Sequence, residues 1–189
     1  MSAVALRCEG VRVALGGREV LHAVDLALPA GRWTAIAGPN GAGKTTLLKA
    51  FAQLLPVQGH VLLQGRPAAD WSARERARAL AWLGQAEGGA EDLLARDVVM
   101  LGRLPHQADW LAIVRRQVAR GGTVVSVLHE IALALQADDL LLLRDGRVAH
   151  HGPTGDPATH RALEQVFDGR VQVHAVAGRW VALPAEVAS

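Results

Sequence analysis

Short apolar runs, each bounded by glycine or proline, predict strands in the first third of the chain. Residues 11–13 and 20–28 carry the β-branched and leucine side chains typical of strands, and Gly16-Gly17 between them predicts a turn. The run 33–37 predicts a buried strand, and a helix over 46–51 follows it after a glycine-rich segment. We therefore expect an antiparallel β part followed by a strand–loop–helix unit.

The middle of the chain continues with short elements of both kinds. Residues 59–65 predict a strand. Ser72, with Glu75 three residues later, has the spacing of a capping box and predicts the start of a helix that runs through Arg78. Three further elements are predicted before residue 107: a short strand over 79–84, a loop over 87–91 and a helical segment over 97–101.

The last third alternates helices and strands. A helix over 108–120 is predicted because one apolar stripe runs along it, made of Trp110, Leu111, Val114 and Val118. The other predicted elements are a buried strand over 123–128, a helix over 131–136, a strand over 140–143 with a turn at Asp145-Gly146, a strand near Val148, a helix around 162–166 and a hairpin of 171–175 with 179–183. The chain is therefore predicted to be one α/β domain over residues 1–189.

The segment between the buried strand and the first helix carries the candidate chemistry. The pattern G-x-x-x-x-G-K-[ST] of the phosphate-binding loop is met by Gly38-Pro39-Asn40-Gly41-Ala42-Gly43-Lys44-Thr45, which Thr46 follows. Its glycines allow positive φ angles and bring several backbone N–H groups onto one phosphate, and the helix N-terminus adds partial positive charge. Lys44 is expected to reach the β- and γ-phosphates and Thr45 to ligate Mg²⁺. The expected ligands are therefore ATP and Mg²⁺.

Composition argues against a disulfide-bonded, membrane-spanning or nucleic-acid-binding protein. The chain has 189 residues, is 50% apolar and has a single cysteine, so a disulfide within the chain is excluded and a reducing compartment is expected. No leader pattern is seen at the start, and no run approaches the ~20 apolar residues that span a bilayer. Net charge is +2, and the densest basic cluster, at residues 74–78, lacks interleaved aromatic residues, so no nucleic-acid partner is expected.

Two further motifs follow the phosphate loop, and together with it they resemble the pattern of a known family. With Leu-Gly-Gln at 83–85 and Val-Leu-His-Glu at 127–130, the chain resembles the ATP-binding subunit of ABC transporters over nearly its whole length. The resemblance implies a P-loop NTPase core. It also implies that Gln85 contacts Mg²⁺ and the attacking water, and that His129 is the switch histidine that contacts the γ-phosphate. An ordinary polar residue after a strand and a structural histidine are the alternative interpretations.

A narrower resemblance concerns residues 98–106, which are similar to a segment of importer ATPases for haem, iron-siderophore complexes and cobalamin. It implies that the partners in the full-length family are transmembrane permease subunits and a second ATP-binding subunit. The implied location is cytoplasmic, on the inner face of the plasma membrane through the permease. The resemblance implies that selectivity for the transported solute lies in the permease and its binding protein rather than in this chain.

The family pattern is incomplete. Between Gln85 and His129 we find neither a signature rich in Ser-Gly-Gly, nor an apolar strand ending in Asp-Glu (Walker B), nor a D-loop. Leu140–Asp145 imitates a Walker B strand, but it follows His129 and its end is better explained as a hairpin turn. We therefore expect an in-frame loss of several dozen residues, with a junction near 104–107, that removed the helical subdomain and one central strand beside the strand that enters the loop.

This loss has chemical consequences. Without the Asp-Glu pair no residue is available to polarise the attacking water except Glu130, so hydrolysis should be slow at best. Without the signature the head-to-tail dimer should fail. Leu15 stands where family members often carry an aromatic residue against adenine, so affinity for the base should be reduced. The chain is thus predicted to bind ATP and to be impaired in its hydrolysis.

Other functions remain open at this point. The chain could be a catalytically dead nucleotide-binding fragment, an interaction protein with a vestigial loop, or a GTPase or small-molecule kinase, although no Asn-Lys-x-Asp motif for guanine is present. His150-His151, with His160 and His174, could suggest a metal site. Adjacent residues of a strand point to opposite sides, so a surface turn is the preferred interpretation of the pair.

Overall fold

The computed structural model describes residues 3–81, 107–176 and 178–185. An antiparallel sheet of order β2-β1-β4-β5 forms the amino-terminal part. Its strands are β1 Val4–Leu15, β2 Arg18–Pro29, β4 Gln58–Leu63 and β5 Arg66–Pro67. Buried and exposed residues alternate along much of β1 and β2, because one face packs on the core and the other meets solvent. The predicted antiparallel β part is confirmed.

A second sheet, of order β6-β3-β7-β8, lies at the centre of the fold. Its strands are β3 Trp33–Ala37, β6 Val124–Val127, β7 Asp139–Arg144 and β8 Arg147–Pro153. The first three are parallel, and β8 pairs with β7 in the antiparallel sense through the turn predicted at Asp145-Gly146. All five residues of β3 are buried, which explains its continuous apolar run.

The position expected for the missing strand needs correction. We placed it beside the strand that enters the loop, but β3 is paired with β6 on one side and β7 on the other. Each strand has hydrogen-bonding groups for two neighbours, so a further strand has no place next to β3. Among the described residues the outer edge of β6 is unpaired, and all four residues of β6 are half-buried rather than buried as predicted.

The described residues contain five α-helices. They are α1 Lys44–Phe51, α2 Ala73–Ala79, α3 Gln107–Ala119, α4 Ile131–Ala134 and α5 Pro157–Val166, with a 3₁₀ turn at Ala68–Asp70. The capping box at the start of α2 is present, with Ser72 and Glu75 each bonded to the backbone of the other. In the described ranges no helix is long and apolar enough to cross a bilayer.

Two apolar clusters hold these layers together. One lies between the two sheets and includes Leu21, Ile36, Leu47 and Leu143. The other lies under the helices, where the predicted stripe of α3 packs on the central sheet. There the indole of Trp33 meets that of Trp110 edge to face at 5.5 Å between ring centroids and donates a hydrogen bond to Ser126 Oγ at 2.9 Å. The helix that follows the proposed junction therefore packs directly on the strand that leads into the loop.

An ionic cluster fixes the end of β3 that is remote from the loop. The Arg32 guanidinium donates to both carboxylate oxygens of buried Asp139, at 2.6 and 2.8 Å. Asp138 accepts from the backbone N–H of Trp33 at 2.8 Å and from Arg115 at 2.9 Å. Because Asp138 and Asp139 lie at the start of β7 and Arg115 lies on α3, these bonds set the alignment of β3, β7 and α3.

The carboxyl-terminal hairpin is present as predicted, with β9 Val171–Val176 and β10 Arg179–Pro184. The preferred interpretation of His150-His151 was wrong: both lie in strand β8 and are half-buried, because β8 extends to Pro153. His150 Nε2 is 2.9 Å from Thr159 Oγ1, which is a structural contact with α5. The described part of the chain contains no group of three potential metal ligands.

Several sequence predictions fall outside the described residues. These are Gln85, the loop over 87–91, the helical segment over 97–101 and the junction near 104–107. The strand predicted over 79–84 is partly testable, and its described part is not a strand: Ala79 ends α2, and residues 80 and 81 belong to no helix or strand.

Candidate functional site

The phosphate loop begins where the buried strand β3 ends. Gly38 is buried directly after β3, and its φ angle is +148°. A Cβ atom at this position would overlap the backbone oxygen of Leu143 on β7. Only glycine allows the loop to leave the sheet this close to the neighbouring strand.

A second glycine lets the loop turn into α1. Gly43 is the N-cap residue of α1, with φ +93°, and no side chain caps the helix. A Cβ at this position would lie 2.9 Å from Leu21 Cδ2. Because no side chain occupies the first N–H groups of α1, they are available to an anion, and the helix dipole favours negative charge there.

Lys44 adds a cation beneath the loop. The residue is buried, and its Nζ donates to the carbonyl oxygens of Gly38 and Pro39, each at 2.8 Å. Burial lowers the pKa of Lys44 from its usual value, because the charged form has lost part of its water. An ammonium group has three N–H donors, so one remains for a ligand beside the two carbonyls.

These groups border a cavity of about 250 Å³. The residues that line it are Val20, Asn40, Gly41, Ala42, Gly43, Lys44, Thr45, Thr46 and His129. His129 follows β6, and β6 is the parallel neighbour of β3, so both strands deliver their next residues to the same edge of the sheet. The structure thus brings His129 to the predicted loop, with the imidazole exposed. Gln85 lies outside the described residues.

The donors around this cavity suit a phosphate chain better than a protein-held metal ion. Thr45 is exposed at the cavity and offers a hydroxyl to Mg²⁺, but no carboxylate is among the described residues that line the cavity. Mg²⁺ binds oxygen ligands and commonly takes carboxylates together with substrate phosphates. The described residues therefore fit a magnesium ion that is held mainly by the nucleotide itself.

The Asp145-Gly146 turn also bears on the loop, although not as a Walker B pair. The side chain of Asp145 is 91% exposed, and both residues have positive φ angles, as a tight hairpin turn requires. The backbone N–H of Gly146 donates to Ala42 O at 3.2 Å, and Gly146 O accepts from His22 N at 2.9 Å. The turn is therefore hydrogen-bonded both to the loop and to β2, and it helps to hold Ala42 in place. No sequence pattern indicated this contact, because it joins segments about a hundred residues apart.

Comparison with protein families gives one clear match. The family model described as ABC transporter matches residues 21–144, which include the loop, His129 and β7.

Among curated proteins, the chain is similar to several named Hemin import ATP-binding protein HmuV. The protein from Streptomyces coelicolor is 32% identical over 233 residues, covering 87% of this chain and 83% of the relative. That from Rhodococcus jostii is 29% identical over 253 residues, covering 96% and 87%. That from Pseudomonas putida is 46% identical over 102 residues, covering 53% and 40%.

Solved structures give the same fold. A bacterial Atm1-family ABC exporter with ATP bound superposes with a TM-score of 0.69 at 18% identity, covering 88% of this chain and 42% of the exporter chain. The cbiO1 protein of Clostridium perfringens, part of the cbiONQ complex, gives a TM-score of 0.61 at 15% identity, covering 89% and 96%. At these identities the likeness concerns the fold alone, and it confirms the predicted α/β P-loop core.

Proposed function

The chain belongs to the ABC transporter family, and from this premise we propose that it binds ATP through residues 38–46 as the ATP-binding subunit of an import system. The observation that carries the proposal is the cavity in which the loop amides, the ammonium group of Lys44 and the imidazole of His129 converge. Positive charge and N–H donors that can bind a ligand thus surround one cavity, as the binding of a triphosphate requires. The family membership supports ATP as the nucleotide.

Four groups of the cavity, and Gln85 outside the described residues, have a proposed role. The backbone N–H groups of Gly41 and of residues 43–46 hold the phosphates, while that of Ala42 donates to Pro39 O at 3.2 Å. Lys44 directs its remaining N–H toward the β- and γ-phosphates. The Thr45 hydroxyl ligates the Mg²⁺ that accompanies ATP, and that ion supplies neutralisation of phosphate charge. His129 contacts the γ-phosphate, and Gln85 takes the role of contact to Mg²⁺ and water that the family resemblance gives it.

We propose that hydrolysis is impaired while binding persists. The described residues that line the cavity include no carboxylate to orient or activate water, and the sequence between Gln85 and His129 contains no apolar strand that ends in Asp-Glu. Loss of general acid–base assistance costs typically ~10²–10⁴-fold in rate. Binding depends on the amides and on Lys44, so it does not share this loss.

The lengths of the alignments support an internal shortening. The alignment with the Rhodococcus jostii relative runs over 253 residues, although this chain has only 189. The alignment with the Streptomyces coelicolor relative, over 233 residues, is also longer than the chain. Both must contain relative residues that have no counterpart here. We propose that these are the lost helical subdomain and central strand, with the junction near 104–107 in a single domain of residues 1–189.

The transported solute is proposed from the relatives' names. Haem, or a similar iron chelate or cobalamin, is the proposed cargo, because the similar curated proteins are named hemin import ATP-binding proteins. We propose permease subunits as partners and a location at the inner face of the plasma membrane through them. Without a signature segment, the head-to-tail dimer with a second ATP-binding subunit should not form.

Calorimetric titration with Mg²⁺-ATP, together with phosphate release from the same sample, tests the proposal. The wild-type chain should bind ATP in preference to GTP and release phosphate at least about 100-fold more slowly than an ordinary family member. Lys44→Ala should weaken binding roughly 10–100-fold, because a charge-assisted hydrogen bond contributes about 1.5–3 kcal/mol. Lys49→Ala is the matched control, since Lys49 is the second lysine of the chain and does not line the cavity.

The outcomes separate the candidate functions. Absence of any nucleotide binding by folded protein would favour an interaction protein with a vestigial loop, and a preference for GTP would favour a GTPase. Lys44-dependent turnover at ordinary rates would refute the impaired-hydrolysis proposal. Binding without measurable turnover fits either an impaired subunit or a dead fragment, and co-purification with a permease distinguishes these two.

A further inference from the structure

The carbonyl oxygens of the phosphate loop carry negative partial charge, as does the proposed ligand. A loop that binds a triphosphate must present its N–H groups to the anion and turn its C=O groups elsewhere, because a carbonyl oxygen beside a phosphate oxygen is repelled. A carbonyl that is turned into the protein needs a hydrogen-bond donor there, since an unpaired buried backbone group is costly. The donors of these oxygens therefore bear directly on the binding of an anion.

Some of these oxygens find their donors within the loop and α1. The oxygens of Gly38 and Pro39 accept from Lys44 Nζ, each at 2.8 Å. Gly43 O accepts from the backbone N–H of Leu47 at 2.8 Å. These bonds lie inside the strand–loop–helix unit, so they need no contribution from the rest of the fold.

The oxygen of Ala42 differs, because its donor belongs to a distant segment. The backbone N–H of Gly146, in the turn between β7 and β8, donates to Ala42 O at 3.2 Å. Gly146 does not line the loop cavity, so this bond turns the Ala42 carbonyl away from the volume proposed for the triphosphate. In a trans peptide the C=O and the following N–H point in opposite directions. The same bond therefore directs the N–H of Gly43 to the side on which Gly43 lines the cavity.

The turn itself is held in place by β2. Gly146 O accepts from the backbone N–H of His22 at 2.9 Å, and the Arg147 guanidinium donates to His22 O at 3.4 Å. A Cβ atom at position 146 would overlap the backbone oxygen of Val20 and lie 2.6 Å from His22 Cδ2. A side chain at this position therefore requires that the turn move relative to β2, and any such movement shifts the donor of Ala42 O.

We propose that Gly146 is a positioning residue for nucleotide binding, which holds the peptide between Ala42 and Gly43 with its N–H toward the phosphates. This inference rests on the proposed function, because it concerns the same cavity. Gly146 acts through Ala42 and does not itself line the cavity. Its bond to Ala42 and the binding of ATP favour the same orientation of the peptide, so each strengthens the other by the same factor, about tenfold.

Hydrogen exchange of the wild-type chain, labelled with ¹⁵N-glycine, tests this coupling. Saturating Mg²⁺-ATP should slow exchange of the Gly146 N–H about tenfold more than exchange of the Gly31 N–H. Gly31 is the matched control, because its N–H also makes a long-range bond, to Thr123 Oγ1 at 2.9 Å, but at the end of β3 remote from the loop. Stabilisation of the whole fold by a bound ligand slows both amides alike. Equal slowing of the two overturns the proposal.

A variant provides the second arm. Gly146→Ala should raise the Kd for Mg²⁺-ATP about tenfold. Leu163→Ala is its control for lost stability, because Leu163 is fully buried in the apolar cluster under the helices and does not line the cavity. An unchanged Kd in Gly146→Ala, or an equal rise in Leu163→Ala, contradicts the positioning role. Urea unfolding checks that both variants are folded, and if either is not, the exchange arm decides.

Failure of the proposed function gives a different result. If the wild-type chain binds no ATP, that function fails, and the glycine resonances recorded without nucleotide decide the contact. The amide resonances of Gly41 and Gly43 should move in Gly146→Ala. They should stay in place in Gly155→Ala, because an added Cβ there meets only Trp180 Nε1, at 3.8 Å. Unmoved loop resonances in Gly146→Ala overturn the proposal.

Discussion

Replacing Gly38 by alanine should destabilise the chain much more than the same change at Gly41, although both glycines lie in the phosphate loop. A Cβ at position 38 would overlap Leu143 O on β7, and the backbone φ there is +148°. Position 41 also has a positive φ, +81°, but no atom lies within 4 Å of an added Cβ. The two substitutions therefore share backbone strain and differ in steric overlap.

The expected magnitudes follow from this difference. A residue other than glycine in a sparsely populated backbone region costs about 1–3 kcal/mol. An extra methyl group in a packed site costs roughly 1–3 kcal/mol more. Gly38→Ala should thus lose about 2–6 kcal/mol of unfolding free energy. Gly41→Ala should lose the strain alone, about 1–3 kcal/mol. Against a total stability of about 5–15 kcal/mol, the second variant stays folded and the first approaches the limit.

Urea unfolding, followed by tryptophan fluorescence, measures both values. Trp33, one of five tryptophans, is fully buried on the strand that leads into the loop, so unfolding of this region changes the summed emission. The difference between the two variants should exceed about 1 kcal/mol. If they lose the same free energy to within about 0.5 kcal/mol, the close approach of the loop to Leu143 is refuted.

Three further predictions use other parts of the molecule. Burial raises the pKa of Cys8 to about 12, so iodoacetamide should alkylate this thiol at pH 8 only on unfolding; labelling of the native chain at the unfolded rate would contradict its burial. Burial lowers the pKa of Lys44, and phosphate binding should raise it again, so the affinity for Mg²⁺-ATP should fall as the pH rises through the lowered pKa of the free chain. Lys44→Arg should remove this alkaline decline, and a flat calorimetric profile for the wild type would refute the linkage. Asp139→Asn should cost roughly 1–3 kcal/mol in urea unfolding, because the amide keeps one acceptor for the Arg32 guanidinium where the carboxylate has two and carries no charge, whereas Asp168→Asn, in an exposed ion pair, should cost less than about 1 kcal/mol.

The sequence predicted those elements well whose formation depends only on residues close together in the chain. The strand Trp33–Ala37, the capping box of Ser72 and Glu75, and the turn at Asp145-Gly146 are all present. Each depends on neighbours within a few residues, such as an apolar run or a side chain that bonds to a nearby N–H. The same holds for the phosphate loop, in which glycine spacing and one lysine sit between a strand and a helix.

Predictions that depended on which distant strands pair with each other were less accurate. The place of the missing strand was assigned beside β3, which the structure shows to be paired on both sides. His150 and His151 were interpreted as part of a turn, but β8 extends through them because it pairs with β7 as far as Pro153. No sequence pattern predicted the hydrogen bond from Gly146 N–H to Ala42 O. A bond between two backbone groups places little constraint on residue type, so it leaves no pattern in the sequence.

The sequence by itself determined that this chain has the pattern of a phosphate-binding loop and an α/β P-loop core, and that no apolar run ending in Asp-Glu occurs between residues 85 and 129. It could do so because residue type and short spacing specify a backbone turn and a set of donors. Only the tertiary structure decided that His129 stands at the loop and that Gly146 donates to Ala42 O. Those facts depend on which strands become neighbours, and strand order is set by the burial of apolar faces from distant segments rather than by any local pattern.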